Sequence, residues 1–286
     1  MYNDLFSIGP VTVHGYGLMV ALGIIAAYLV AEYRARKRNM DPDHIFNILI
    51  FGVIFGFTGS KLLYAITVLP ELLRDPSGFF QHLADGWVVY GAIIGGVGAA
   101  AVYCKVKKIS ILSYLDLCVP SLALGQAIGR IGCLLAGCCY GATTDSSMCI
   151  VFTHSNYAPN HVALIPTQIY SSLLNFLNFF VLLLIGAKAK KKGIVISCYL
   201  MFYSVGRFVI EFYRGDLNRG FVGNLSTSQF IAIFIFLLGV VLFLFFTKKN
   251  YPVDRVIAAA EKSGEAPGEQ EVQRTDASDV QDAQSK

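Results

Sequence analysis

The sequence predicts an all-α polytopic membrane protein: seven transmembrane helices, with a small extracytoplasmic head between the fourth and fifth. Three observations carry this. Hydrophobic residues make up 55% of the 286 and charged residues 15%, against about 25% charged in ordinary soluble domains. Apolar runs near 20 residues, the length that crosses a hydrocarbon core of about 30 Å, recur along the chain. Lys and Arg alternate between rich and poor from one connecting segment to the next, as the positive-inside rule demands. The same composition excludes a soluble enzyme, and no nucleic-acid motif is present.

The first span is expected at residues 16–33. No Lys or Arg precedes it, so the basic n-region of a cleaved signal peptide is missing and this span is expected to remain. The second span covers 45–69 and carries Lys61. Residues 71–86 contain Asp-Pro-Ser-Gly, a turn signal between short amphipathic pieces, and are expected to lie in the interface. Span three covers 87–103, with Gly91, Gly95 and Gly98 on one face. Span four covers 109–136, with Pro120 expected to kink it or stop it briefly. Residues 137–165 hold no Lys or Arg and much Thr, Asp, Ser and Asn, and read as the head. Spans five, six and seven follow at 166–186, 193–213 and 228–246. The seven-helix domain thus occupies 1–251, and 252–286, polar and with almost no large apolar residues, reads as a disordered tail.

Basic residues assign the sides. The segments after spans one, three, five and seven hold four, three, four and six of them, while those after two, four and six hold one, none and two. That places the N-terminus outside and the tail in the cytoplasm. The seven cysteines are an odd number. Cys104, Cys118 and Cys198 fall in apolar stretches as small hydrophobes, while Cys139 and Cys149 leave one disulfide open as an alternative.

Chemistry concentrates in two places. The stretch GQAIGRIGCLLAGCCYG, 125–141, puts Arg130 inside a span. A guanidinium at bilayer depth costs a few kcal/mol or more, so it faces a bundle interior or a wet cavity. On a helix Gln126, Arg130, Cys133 and Gly137 line one stripe, and Gly125, Gly129, Gly132 and Ala136 a second of tiny side chains that admits a close neighbour. Span six ends in YSVGRFVIEFYRGD, where Tyr203, Arg207, Glu211 and Arg214 recur at i, i+4, i+8 and i+11. Arg130 and Arg207 both fall near the outer ends of their helices. Two guanidinium forks at one level suit a phosphate, and the headgroup of an anionic phospholipid is the natural ligand. A structural arginine, an intrahelical ion pair, or a lipid bound only for packing are the alternatives.

GRIGCLLAGCCYG, 129–141, resembles the signature of the prolipoprotein diacylglyceryl transferases, usually written GRxGNFxNGExxG. HGYGLM at 14–19, GSKL at 59–62, PTQIY at 166–170, GRFVIEFYR at 206–214 and LSTSQ at 225–229 fall in the family's order. The resemblance implies an enzyme of the bacterial cytoplasmic (inner) membrane that moves the diacylglyceryl group of phosphatidylglycerol to the lipobox cysteine in the signal peptide of a preprolipoprotein. A thioether forms and glycerol phosphate leaves. By the matched motifs, Arg130 and Arg207 would hold the phosphate, with Tyr16, Lys61, Gln168, Tyr170, Glu211, Arg214 and Gly141 around them. Phosphatidylglycerol is a co-substrate, and neither cofactor nor metal is expected.

The departures touch acid-base groups. Tyr90 stands where the family shows a histidine ahead of the glycines of span three. Cys133 and Ala136 replace two asparagines, Cys138 a glutamate, Ile165 a histidine and Lys61 an arginine. A phenol with pKa near 10 is a weaker base at neutral pH than imidazole, so Tyr90 is expected either to move the proton or to position the substrate. His161, in the head, could stand in for a missing base. Cys133, Cys138 and Cys139 in C-x4-C-C form do not match a recognised zinc pattern. The same fold with another acceptor, or a non-catalytic lipid carrier, are the competing functional readings.

Overall fold

The structure, a computed structural model, describes residues 4–8, 11–69, 86–216, 220–223, 225–249 and 251–253. The expected interfacial arm, apart from Gly86, and the tail beyond Val253 lie outside the described residues.

Seven helices among the described residues are long and apolar enough to cross a membrane. They are α1 (Gly15–Lys37), α2 (Pro42–Thr67), α3 (Val89–Val106), α4 (Ile111–Ala136), α5 (Thr167–Lys188), α6 (Ile194–Glu211) and α7 (Thr227–Lys248). The chain is a multi-pass membrane protein of the expected helix count. Among the described residues there are also three two-stranded antiparallel pairs: β1 (Asp4–Ile8) with β2 (Val11–His14) ahead of α1, β3 (Ile150–Val151) with β4 (Ala163–Leu164) between α4 and α5, and β5 (Phe221–Val222) with β6 (Leu225–Ser226) between α6 and α7.

The helix ends follow local chemistry. Asp41 caps α2, its Oδ1 accepting from the Asp43 amide at 2.9 Å, with Pro42 in the first turn. Ser226 and Gln229 form a reciprocal capping box on α7, which satisfies two of the orphan amides of a helix start. The helices α1, α3, α5 and α7 take Lys or Arg into their last turns, where cations meet the partial negative end of the helix dipole. For that reason they run a few residues past the apolar runs. Pro120 neither stops nor divides α4, which continues through it. The proline is fully buried, and transmembrane helices tolerate the lost hydrogen bond where neighbours enclose it.

The chain forms two compact units, Val30–Tyr114 and the remainder, Met1–Leu29 with Leu115–Lys286. In the first, α2 and α3 meet backbone to backbone, since a Cβ on Gly59 would stand 2.4 Å from the Gly91 carbonyl oxygen. Only small residues permit that approach. In the second, α4 packs on the start of α1 through Gly125 against Gly23 and Gly132 against Tyr16 and Met19, while Gly129 faces open space. The small-residue stripe of α4 is thus used at two of its positions.

Residues 137–165 fold around Phe152, Ala158 and Leu164, with Leu134, Tyr140, Ile150 and Val162 packed against them. Asp116, in α4, is only 5% exposed. Its carboxylate accepts from the amides of Gly193 at 2.6 Å and Ile196 at 2.9 Å. Gly193 begins α6 at φ 87 with no cap of its own. A carboxylate from another helix therefore supplies what a Ser or Asp would supply locally.

Candidate functional site

The site is built where α4 ends. Gly137, at φ 75, closes the helix, with the Cys138 amide donating to the Cys133 carbonyl at 3.1 Å and the Gly137 amide to that of Leu134 at 3.3 Å. This is the glycine-terminated ending in which the chain reverses its twist. Cys139 follows at φ 55. The reversal brings the sulfurs of Cys133, Cys138 and Cys139 within 4.8 Å of one another. Three thiols at that spacing could hold a soft cation once deprotonated. All seven cysteines are free thiols, so the Cys139–Cys149 disulfide is not formed.

Backbone hydrogen bonds then fasten this turn to two distant segments. The Gly141 amide donates to the Ile165 carbonyl at 3.1 Å, the Ala142 amide to Tyr213 at 2.9 Å, and the Gly215 amide to Tyr140 at 3.0 Å. Gly141 must be glycine here, because a Cβ would stand 2.4 Å from the Ile165 carbonyl oxygen. The side chain of Thr167 donates to the Cys139 carbonyl at 2.8 Å and that of Gln168 to Cys138 at 2.9 Å. Gln168, which is fully buried, thus holds the turn, and so does Gly141. By this stitching the end of α6 is carried to the signature.

The charged groups meet at that junction. Arg207 Nη2 lies 3.1 Å from Glu211 Oε2 and donates to Ser228 Oγ at 2.9 Å. Glu211, 4% exposed, also faces Arg214 Nη1 at 3.6 Å, and Arg214 grips Asp216. The helix ends at Glu211. Arg214 therefore belongs to the stitched segment, not to the helical face the spacing suggested. Arg130 lies close to Cys139, and among the described residues it has no carboxylate in ion-pair range. The close sulfurs of Cys133 and Cys138, and beyond them Arg130 and Arg214, hold the Cys139 thiol below its ordinary pKa. The same network, with burial, pushes Cys138 up.

Arg130 and Arg207 line one cavity of about 360 Å³ between α5 and α6. Its walls include Tyr203, Gly206 and Ile210 from α6 and Leu174, Leu177 and Val181 from α5. Leu177, Phe202 and Val205 are also exposed on the outer, apolar surface, so the cavity opens sideways between the two helices. Ser171, Asn175 and Asn178 line it as well. They recur at i, i+4 and i+7 in an otherwise apolar helix, a polar stripe visible in SSLLNFLNFF that the sequence reading above passes over.

Other expected residues lie apart from this cavity's lining. Tyr16 packs on Gly132 of α4, and Tyr170 is half-buried on the first turn of α5. Lys61 and Tyr90 belong to the unit Val30–Tyr114. There Lys61 donates to the Gly86 carbonyl at 3.0 Å and sits 3.9 Å over the Trp87 ring, while Tyr90 stands in the first turn of α3. His154 and His161 are exposed in the 137–165 head.

Comparison with known proteins gives one answer. Residues 3–245 match the family described as prolipoprotein diacylglyceryl transferase. A relative from Clostridium tetani, named phosphatidylglycerol–prolipoprotein diacylglyceryl transferase, is 48% identical over 239 residues, which are 84% of this chain and 95% of that one. A similarly named protein numbered 2 from Clostridium perfringens is 48% identical over 81% of this chain and 90% of its own length. One from Dehalococcoides mccartyi is 31% identical over 87% and 95%.

Proposed function

The chain belongs to the prolipoprotein diacylglyceryl transferase family, and from that premise we propose how it transfers a diacylglyceryl group from phosphatidylglycerol to a prolipoprotein. The acceptor is the thiol of the lipobox cysteine. The chain sits in the bacterial cytoplasmic membrane with its N-terminus and the 137–165 head outside and the tail in the cytoplasm, as the basic residues suggest.

Phosphatidylglycerol enters the α5–α6 opening with its acyl chains still in the bilayer. Its phosphate takes Arg130 and Arg207. The acceptor thiol loses its proton, and the thiolate attacks the glyceryl methylene carbon that carries the phosphate. A C–S bond forms as the C–O bond breaks, and the electron pair leaves on glycerol phosphate. The phosphodiester, singly charged, becomes a phosphomonoester that gathers a second charge on its oxygens. Prearranged guanidinium groups in a water-poor cavity stabilise that change more than they stabilise the ground state. No electrons are exchanged with an outside group, so the step needs no redox cofactor.

Glu211, held between Arg207 and Arg214, acts as a positioning residue for the Arg207 fork. Gln168 and Gly141 keep the signature turn in place, and Arg214 ties that turn to the end of α6. The acceptor thiol, whose ordinary pKa is near 8.5, calls for a base or a polarising partner to take up its proton. The observation that carries this reading is the shared cavity of Arg130 and Arg207. The test is reconstitution with phosphatidylglycerol and a lipobox peptide, with the diacylglyceryl thioether read by mass spectrometry. Absence of product under conditions where another family enzyme works overturns it.

A further inference from the structure

The turn that ends α4 gathers a donor set that the transfer chemistry leaves unused. The sulfurs of Cys133, Cys138 and Cys139 lie within 4.8 Å of one another, and among the described residues no histidine or carboxylate joins them. Their sequence spacing matches no recognised zinc pattern, because a helix end separates Cys133 from the other two. Folding makes the difference. Gly137 at φ 75 and Cys139 at φ 55 turn the chain back, and an L residue such as Cys139 stays in that conformation only where its surroundings hold it. Here the Cys138 carbonyl accepts from Gln168 at 2.9 Å and the Cys139 carbonyl from Thr167 at 2.8 Å. Both clamping side chains are fully buried, so the three thiols are gathered in advance of any ligand.

Distance and charge identify the guest. Zinc–sulfur bonds of about 2.3 Å at tetrahedral angles set bound sulfurs about 3.8 Å apart, so closing this set takes movements of about 1 Å or less. Thiolates select soft cations such as Zn2+, Cd2+ and Cu+ over Mg2+ and Ca2+. They form where positive charge stands near, and Cys139 has Arg130 and Arg214 close by. Three thiolates around a divalent ion carry a single net negative charge. Arg130, with no carboxylate in ion-pair range among the described residues, is the group to answer it. Cys133 is buried, whereas Cys138 and Cys139 are half-buried, so the inner ligand is fixed and the outer two are open to an arriving ion.

We propose that Cys133, Cys138 and Cys139 form a binding site for a thiophilic d10 cation such as Zn2+, and that an ion bound there competes with the phosphate of phosphatidylglycerol for Arg130. The site stands on the thiols alone, while the competition rests on the phosphate reading of Arg130 given above. Each thiol gives its proton to solvent as its sulfur–metal bond forms, and no oxidation state changes. Three protein ligands leave a tetrahedral ion one position for water. The anionic metal–thiolate group and the lipid phosphate are then alternative partners for one unbalanced guanidinium.

The experiment titrates the full-length protein in detergent, reduced with a phosphine, with Cd2+ and reads the thiolate-to-metal charge-transfer band in the ultraviolet. One Cd2+ per chain is expected to bind. Cys138→Ser and Cys139→Ser are each expected to weaken binding by at least about 100-fold, since even outer-shell partners of a metal are worth about 10- to 100-fold. Cys149→Ser, at an exposed thiol of the 137–165 head, is expected to bind as the wild type does. No band in the wild type, or a band unchanged in both Cys138→Ser and Cys139→Ser, overturns the site; if one of the two fails to fold, the other decides. Headgroup release from labelled phosphatidylglycerol is then measured with and without bound Cd2+. The loaded wild type is expected to show a KM raised by at least about tenfold and restored by EDTA, the effect of one unit charge within roughly 10 Å at an effective dielectric near 20. Cys138→Ser is expected to be indifferent to the ion. A loaded protein with an unchanged KM overturns the competition. Failure of the metal-free wild type to release headgroup counts instead against the transferase reading, with the site still decided by the absorption band.

Discussion

The two ends of α6 solve the same problem in opposite ways. At its start, a buried negative charge, Asp116, is met by the amides of Gly193 and Ile196 at hydrogen-bonding distance. At its finish, the positive groups outnumber the negative ones: Arg214 is taken by Asp216, Arg207 shares Glu211, and Arg130 has no carboxylate in range among the described residues. Both sites bring charge into a membrane-embedded bundle, where an unbalanced ion is costly. The balanced one needs nothing more and is structural. The unbalanced one lines a cavity, and under the function proposed above an anionic substrate supplies the missing charge. What separates the two ends is the surplus, since burial and charge are common to both.

The strongest way to break this comparison is to remove the surplus. Arg130→Ala and Arg207→Ala are each expected to lower kcat by about 10²- to 10³-fold, the typical cost of deleting one prearranged donor to a developing oxyanion, while the thermal midpoint stays near that of the wild type. Headgroup release from labelled phosphatidylglycerol measures it. A variant that retains turnover within about tenfold takes its arginine out of the phosphate site.

A smaller effect is expected at the stitching that carries the surplus into place. In Gly141→Ala the new methyl would press on the Ile165 backbone at 2.4 Å, and backbone cannot swing aside as a side chain does. Shifting the turn moves the segment that bears Arg214 and, through Glu211, the Arg207 fork. A displacement near 1 Å can cost about 100-fold, so a loss of about 10- to 100-fold in kcat is expected. Overpacking of this kind also removes about 1–3 kcal/mol of stability, read from thermal unfolding in detergent. Full activity would show that the turn is not what positions the guanidinium groups.

How much of this was legible beforehand follows the same division. Spans and their order are written in residue-scale hydropathy, and all seven fall within a few residues of expectation. Arg130 and Arg207 were legible because an arginine inside an apolar run is rare enough to stand out on its own. Asp116 was not, because one acidic residue near a basic segment looks like a solvated end until α6 is seen to begin without a cap. Asn178 escaped for a related reason: its stripe has ordinary helical spacing, and only the structure shows its carboxamide buried without a hydrogen-bond partner among the described residues. The Arg214 discrepancy is instructive too. Spacing extended the helix through it, whereas pairing with the 140–142 segment ends the helix at Glu211 and turns that arginine into part of a bridge.

The mildest test sits at the balanced end and decides whether the two ends differ in kind. Asp116→Ala leaves the amides of Gly193 and Ile196 buried without an acceptor, and an orphaned buried donor costs about 1–3 kcal/mol. Asp116→Asn keeps one oxygen and so one of the two bonds, and the loss should be about half as large. Because α6 is then loosened at its start, some 14 residues before Arg207, the folded fraction of either variant should turn over at close to the wild-type rate. Unfolding midpoint and kcat per folded molecule, measured on the same samples, separate the two quantities. If Asp116→Asn unfolds like the wild type yet loses tenfold or more in kcat, Asp116 shares in the chemistry, and the distinction between a balanced structural charge and an unbalanced functional one fails for this helix.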